Sequence, residues 1–281
     1  LKSPISPFRP WKLTDFMIRQ TIKDYVRCAK LAQQSGYDGV EIGCAAPHAW
    51  PDFLNKDRRL FLKRTLNENN IKASSLLPAP GGGPGNNPAS IYEEERLFTV
   101  NHYKDVIDLA FDLGAKTVMY ICGWQIFNST RKQCYELSLK SLKEIANHAN
   151  DKGINIAVEP TSADSNLIDT ADQAIELMED SGCENVKLMF DTFHAQYRNE
   201  VSSDYVYRME PNLVHVHIAD TDRLAPGKGN VDFFSVMQAL KDIKYDGYVT
   251  MEVGFTSRSS EPDLIATESL NYLKDIERNL R

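Results

Sequence analysis

The five cysteines of this chain, Cys28, Cys44, Cys122, Cys134 and Cys183, are scattered, odd in number and never in C-x-x-C spacing. That excludes a disulfide framework and a zinc knuckle and predicts a reducing compartment. Positive charge is also in short supply. With 32 Lys and Arg against 39 Asp and Glu, the formal net charge is -7, which opposes a broad basic surface for nucleic acid or anionic membrane. No stretch reaches the roughly 20 apolar residues that a membrane span requires, and the segment LKSPISPFRP lacks the apolar centre of a signal peptide. Together these absences predict a cytoplasmic protein acting on a small molecule, with neither nucleic acid nor membrane as partner.

What is present is an ordinary globular balance, 42% hydrophobic and 25% charged over 281 residues, which predicts one domain spanning 1–281. Short apolar runs alternate with longer amphipathic stretches, the βα pattern of a parallel sheet. Seven runs read as strands, at 39–42, 71–77, 116–121, 154–159, 187–191, 214–218 and 248–253. Eight helical stretches lie near 14–35, 53–69, 93–113, 131–151, 170–180, 201–209, 232–242 and 263–279. Gly36, Gly114 and Gly153 each stand where a helix gives way to a strand, the place for a left-handed cap. The expected fold class is α/β, a (β/α)8 TIM barrel of about 250 residues with its site at the carboxyl ends of the strands. Its first strand is weak or missing, because LKSPISPFRPWK holds three prolines and no apolar run. A doubly wound open sheet is the alternative architecture.

Four of the predicted strands end in chemistry rather than in apolar side chains: Glu159 in INIAVE, Asp191 in KLMFD, His217 in VHVHI and Glu252 in YVTMEV. A buried strand has little use for an ionised group unless a cation or hydrogen bonds compensate it. Three carboxylates and one imidazole on four successive strand ends converge easily around a barrel mouth. They predict a divalent-metal site, and the oxygen-rich set suits Mn²⁺, Mg²⁺ or Co²⁺, with Zn²⁺ also compatible. Glu41 and His48 follow an earlier strand and should face the same mouth, Glu41 either toward substrate or hydrogen-bonded to backbone. Trp124 either stacks on the substrate or closes the rim, and His215 is taken to face the helix layer. The loop from Pro78 to Ser90, PAPGGGPGNNPAS, is either a lid or merely flexible.

The segments VEP at 158–160, FDTFHA at 190–195, HVHIADTDR at 215–223 and YDGYVTMEV at 245–253 resemble the ketose 3-epimerases of the xylose isomerase-like barrel superfamily, the tagatose and psicose 3-epimerases among them. The likeness runs from Gly36 to Gly254, and GYDGVEI at 36–42 with Asp164-Ser165-Asn166 is locally similar to fructoselysine 3-epimerase. The resemblance implies that Glu159, Asp191, His217 and Glu252 hold the metal, Mn²⁺ first, and that Glu159 and Glu252 act as the acid–base pair. It also implies that His194 and Arg223 contact substrate oxygens near the carbonyl. A second glutamate usual in the family, six residues after the metal-binding one, is Ser165 here, and Asp164 is the candidate to replace it. The expected reaction is inversion of a carbon beside a ketose carbonyl through an enediolate.

An inosose dehydratase-like lyase and an aldose–ketose isomerase on the same barrel are the nearest alternatives. A DNA-repair endonuclease of the superfamily would need many more histidines than the six present, and a non-catalytic sugar-binding barrel would need no metal. The expected partner is a sugar, and the expected assembly a homo-dimer or homo-tetramer, as is common among the enzymes it resembles.

Overall fold

Strand and helix alternate as the hydrophobic pattern requires. A computed structural model describes residues 26–45, 49–78, 86–254 and 261–280. Seven parallel strands form one sheet in chain order: β1 (Gly39–Gly43), β2 (Lys72–Leu77), β3 (Thr117–Ile121), β4 (Asn155–Glu159), β5 (Val186–Asp191), β6 (Leu213–Ile218) and β7 (Tyr248–Met251). The intervening helices are α1 (residues 26–35), α2 (Lys56–Glu68), α3 (Glu93–Leu113), α4 (Arg131–Asn150), α5 (Ala171–Ser181), α6 (Thr192–Tyr197), α7 (Ser202–Met209), α8 (Phe233–Asp242) and α9 (Pro262–Arg278). No described helix is long and apolar enough to cross a membrane.

Local chemistry sets the boundaries. Thr130 and Gln133 form a reciprocal capping box at the start of α4, and Thr170 caps α5 through its hydroxyl, each satisfying amides that the first helical turn leaves without partners. Gly114 ends α3 in the left-handed region at φ 85°, a conformation that costs a residue with a Cβ about 1–2 kcal/mol. Helix α6 is absent from the sequence expectation. It is one and a half turns long, too short to show a period, and it begins directly off β5 with Asp191 as its cap.

The sheet is a nearly closed barrel. β1 and β7 approach at Gly39, where a Cβ would lie 3.0 Å from the Tyr248 ring. The expected weak first strand falls in residues 1–25, which lie outside the described residues. The main core fills the layer between strands and helices, with Val118, Tyr120, Ile156, Val158, Leu188 and Phe190 facing outward into it. Inside the barrel a smaller cluster of Met119, Ala157 and Met189 packs with Leu77 and Val214. Because side chains alternate along a strand, Glu159 stands one layer above Ala157, and Asp191 one layer above Met189. The inward apolar layer is thus the floor of the site.

Candidate active site

Register brings two of the four strand-end residues, Asp191 and His217, opposite each other, while Glu159 and Glu252 stand two residues out of step on the flanking strands. Ile121 pairs with Glu159 across β3 and β4, and Asp191 pairs with His217 across β5 and β6. His217 pairs with Thr250, so the next inward position on the last strand is residue 252. The strand itself stops at Met251, one residue short of Glu252, whose amide still donates to the Ile218 carbonyl at 3.1 Å. That bond keeps the Glu252 side chain on the inward face.

The side chains meet. Ligand atoms of Asp191, His217 and Glu252 lie within 4.8 Å of one another, as do those of Glu159, Asp191 and His194. His217 Nδ1 is 2.9 Å from Glu252 Oε2 and 4.0 Å from Glu159 Oε1. Asp191 uses one oxygen to accept the Phe193 amide at 2.8 Å, and its other oxygen accepts from Arg223 Nη1. The same nitrogen donates to Glu252 Oε2 at 2.6 Å, so one guanidinium ties two of the acids together.

Burial sets the charge states. Glu159, Asp191 and His217 are buried, whereas the Glu252 side chain is 36% exposed. Burial pushes the Glu159 carboxyl well above the usual range, and it lifts Asp191 to about 6 against the pull of Arg223 and His217. Burial acts the same way on Glu252, but the hydrogen bond and charge of His217 together with Arg223 outweigh it and bring that carboxyl down to about 2. Burial would strip the proton from His217, yet Glu41 and Glu252 hold its pKa well above normal.

These donors fit a divalent cation. Glu159 Oε1 is fully buried with no hydrogen-bond partner among the described residues, an expensive arrangement for a carboxylate. Three acids converge on one imidazole, and a cation among them would relieve both the repulsion and the orphaned oxygen.

His194, on α6, is buried. Its Nδ1 accepts the Ala163 amide at 3.3 Å, which leaves the proton on Nε2, and burial with the charge of Arg223 lowers its pKa to about 3. It is a neutral donor. That Nε2 is 3.5 Å from Asp164 Oδ2, and Asp164, 58% exposed, is also 3.8 Å from Arg223 Nη2. Ser165 turns away, its hydroxyl 2.8 Å from that of Thr161. Arg223 lies over the Phe193 ring at 4.4 Å, and its backbone sits in the left-handed region at φ 62° beside Asp222 at φ 57°. Strain of that kind persists where surrounding structure enforces it; the Gly254 amide donates to the Arg223 carbonyl at 2.7 Å.

Trp124 is half-buried after β3, its backbone fastened by both ends of the Asn87 amide at 2.7 and 3.1 Å. That fixes the far end of the loop read as a possible lid; its residues 79–85, like His48, lie outside the described residues. Among the described residues the Glu41 side chain, 9% exposed, meets a hydroxyl and two imidazoles. Its Oε2 accepts from Ser75 Oγ at 2.6 Å and lies 3.0 Å from His217 Nε2 and 3.2 Å from His215 Nε2. The expectation that His215 faces the helix layer is overturned. His215 is two residues from His217, and two residues is the period of a strand, so both rings point into the barrel, 5.1 Å apart. Sequence reading also missed Ser75, whose signal was a Ser-Ser pair inside a buried strand, and Phe193, the platform under Arg223.

The family model for the xylose isomerase-like TIM barrel matches residues 29–276. The chain belongs to that family. Among curated relatives it is 24% identical over 249 residues to D-psicose 3-epimerase of Enterocloster bolteae, covering 84% of this chain and 79% of that one. To the L-ribulose 3-epimerase of Methylomonas sp. strain DH-1 it is 28% identical over 242 residues, covering 84% and 80%. Among solved structures, D-psicose 3-epimerase with D-tagatose from Clostridium cellulolyticum H10 superposes with a TM-score of 0.79 at 22% identity, covering 90% of this chain and 93% of that one. At that identity the superposition speaks for the barrel alone.

Proposed function

We propose that this barrel is a divalent-metal-dependent sugar isomerase, an epimerase that inverts the carbon beside a ketose carbonyl through an enediolate. The observation that carries the reading is the metal-ligand spacing of Asp191, His217 and Glu252, with Glu159 in a second such group that shares Asp191 and 4.0 Å from His217 Nδ1. The relatives named above as 3-epimerases support it.

Glu159, Asp191, His217 and Glu252 would hold the cation, with Mn²⁺ the best match for three carboxylates and one imidazole. Such an ion supplies Lewis acidity beside the carbonyl, where charge accumulates when the neighbouring proton is withdrawn.

The proton transfers fall to the two glutamates. Environments that drive two carboxyl groups apart in pKa assign one as acid and the other as base. Here burial pushes Glu159 up, whereas at Glu252 the pull of His217 and Arg223 outweighs burial. Glu252 removes the proton from one face of the substrate and Glu159 delivers one to the opposite face; for the reverse reaction the roles exchange. Delivery to the opposite face inverts the carbon. His194 Nε2–H and Arg223 donate to the oxygens that gain charge, the kind of preorganised donor that lowers such barriers. Asp164 would accept substrate hydroxyls and Trp124 would cover an apolar sugar face.

The test is a panel of ketoses with Mn²⁺ in D₂O, followed by NMR. The reading predicts an inverted product carrying deuterium at the inverted carbon. Loss of water from the substrate, seen by mass spectrometry, would transfer the site to a lyase, and inversion without deuterium would exclude the enediolate.

A further inference from the structure

Glu41 lies beneath the four residues assigned above to the cation, and no step of the proposed reaction uses it. Its position follows from an irregularity in the sheet. Pairing between β1 and β2 shifts between Val40 and Ile42, so Glu41 faces both Ser74 and Ser75 rather than a single residue. The extra residue aims the Ser75 hydroxyl inward.

Three donors then surround one oxygen. Glu41 Oε2 receives Ser75 Oγ at 2.6 Å, with His217 Nε2 at 3.0 Å and His215 Nε2 at 3.2 Å. The three residues Glu41, His215 and His217 also have the spacing of a metal group. A cation would have to occupy the centre of such a group, however, and here the centre is the carboxylate oxygen itself. The cluster is a carboxylate cradle, not a second metal site. Both imidazoles therefore carry a proton on Nε2. For His215 that is a neutral ring, since burial lowers its pKa, and its Nε2 also lies 3.1 Å from Ser75 Oγ.

For His217 the consequence reaches the site. With Nε2–H committed to Glu41, the only ring nitrogen left to face Glu159 and Glu252 is Nδ1. We infer that Glu41 is a positioning residue: it fixes the tautomer and orientation of His217 so that Nδ1 is presented as a ligand, and it raises the basicity of that nitrogen. Carboxylates in this relation to a ligating histidine typically contribute 10- to 100-fold in metal affinity. The Glu41 side chain is 9% exposed and engages Ser75, His215 and His217, so this role requires no contact with substrate.

The inference rests on the metal site proposed above, and its test separates the two. Mn²⁺ affinity is measured by calorimetry for the full chain, for Glu41→Gln and for Ser75→Ala. Glutamine keeps the shape and one acceptor but loses the charge and can also donate; its expected affinity is at least tenfold weaker. Ser75→Ala takes a donor from the same cluster without touching His217, and its affinity should stay within about twofold of the parent. Equal affinity for Glu41→Gln and the parent overturns the inference. Equal losses in both variants overturn it too, since general loosening of the cluster would then suffice. A parent that takes up no Mn²⁺ removes both readings, whereas one that binds Mn²⁺ but epimerises no ketose removes the proposed function and leaves the role of Glu41 to the affinity comparison.

Discussion

Asp191 and His217 face each other in register across β5 and β6, each at the inward position just above a residue of the barrel floor, Met189 and His215. A parallel pair holds such neighbours at fixed spacing, so the site is set by the ladder rather than by loop conformation. The loops add Arg223, braced by Phe193, Asp191 and Glu252, and Asp164, beside His194 and Arg223.

A cation placed among these groups stabilises the folded chain by mass action. At one hundred times its dissociation constant the gain is about 2.7 kcal/mol, and for a chain of this size each kcal/mol moves the melting temperature by about 2–4 °C. Scanning calorimetry should therefore show melting rise by roughly 5–10 °C with saturating Mn²⁺ and return with EDTA. Asp191→Asn, which removes one of the converging carboxylates, should abolish most of that shift. An unchanged melting curve for the parent protein would remove the metal site.

Glu159→Gln and Glu252→Gln each keep side-chain volume while deleting the proton-transfer function. Turnover should fall at least about 100-fold in either variant, with far-ultraviolet circular dichroism unchanged. The two differ in stability. Burial pushes Glu159 up and its Oε1 has no hydrogen-bond partner among the described residues, so its amide replacement costs little, whereas Glu252 gives up its ionic contact to Arg223 and His217. Retention of turnover in both would leave the acid–base assignment without support.

His102 offers a pH effect separable from the site. It stacks on Trp50 with centroids 4.3 Å apart, and its Nε2 is buried without a hydrogen-bond partner among the described residues. Burial lowers its pKa from 6.5 to about 4 despite the nearby Asp52 carboxylate. The unfolded chain therefore binds a proton at this residue that the folded chain refuses between those values, and stability must fall as pH drops from 6.5 toward 4. At pH 5 the cost is about 2 kcal/mol. Urea titrations of His102→Phe, which keeps an aromatic partner for Trp50, should lose less stability than the parent between pH 7 and pH 5. Parallel losses would show that other groups dominate.

Much of this was legible before any coordinates. Parallel strands buried on both faces make continuous apolar runs, so their ends could be placed to within two residues, and a carboxylate closing such a run stands out against its neighbours. Glu159, Asp191, His217 and Glu252 were visible for that reason. Helix α6 was hidden because its six residues, TFHAQY, display no period, and His194 was consequently hard to separate from an exposed helix residue. The Glu41 cradle was hidden for a different reason: it depends on a register shift between β1 and β2, and no local pattern in either strand encodes how two strands slip against one another. His215 needed only the period of two, applied correctly.

Arg223 is the residue whose replacement tests how the loop and the barrel cooperate. Its backbone at φ 62° aims the side chain back over the mouth, its guanidinium rests on Phe193 and one of its nitrogens reaches both Asp191 and Glu252. Lysine keeps the charge but has neither the planar fork nor the stacking surface. Arg223→Lys should lower kcat/KM about 100-fold, the usual cost of removing one donor aimed at a developing oxyanion. Phe193→Leu withdraws only the platform, worth about 0.5–1 kcal/mol at a partly exposed position, and should cost roughly two- to fivefold. The order of the two effects is the decisive readout. If Phe193→Leu proves as damaging as Arg223→Lys, the guanidinium acts through its position on the ring; if Arg223→Lys retains the parent kcat/KM, the residue serves only to balance the charge of Asp191 and Glu252.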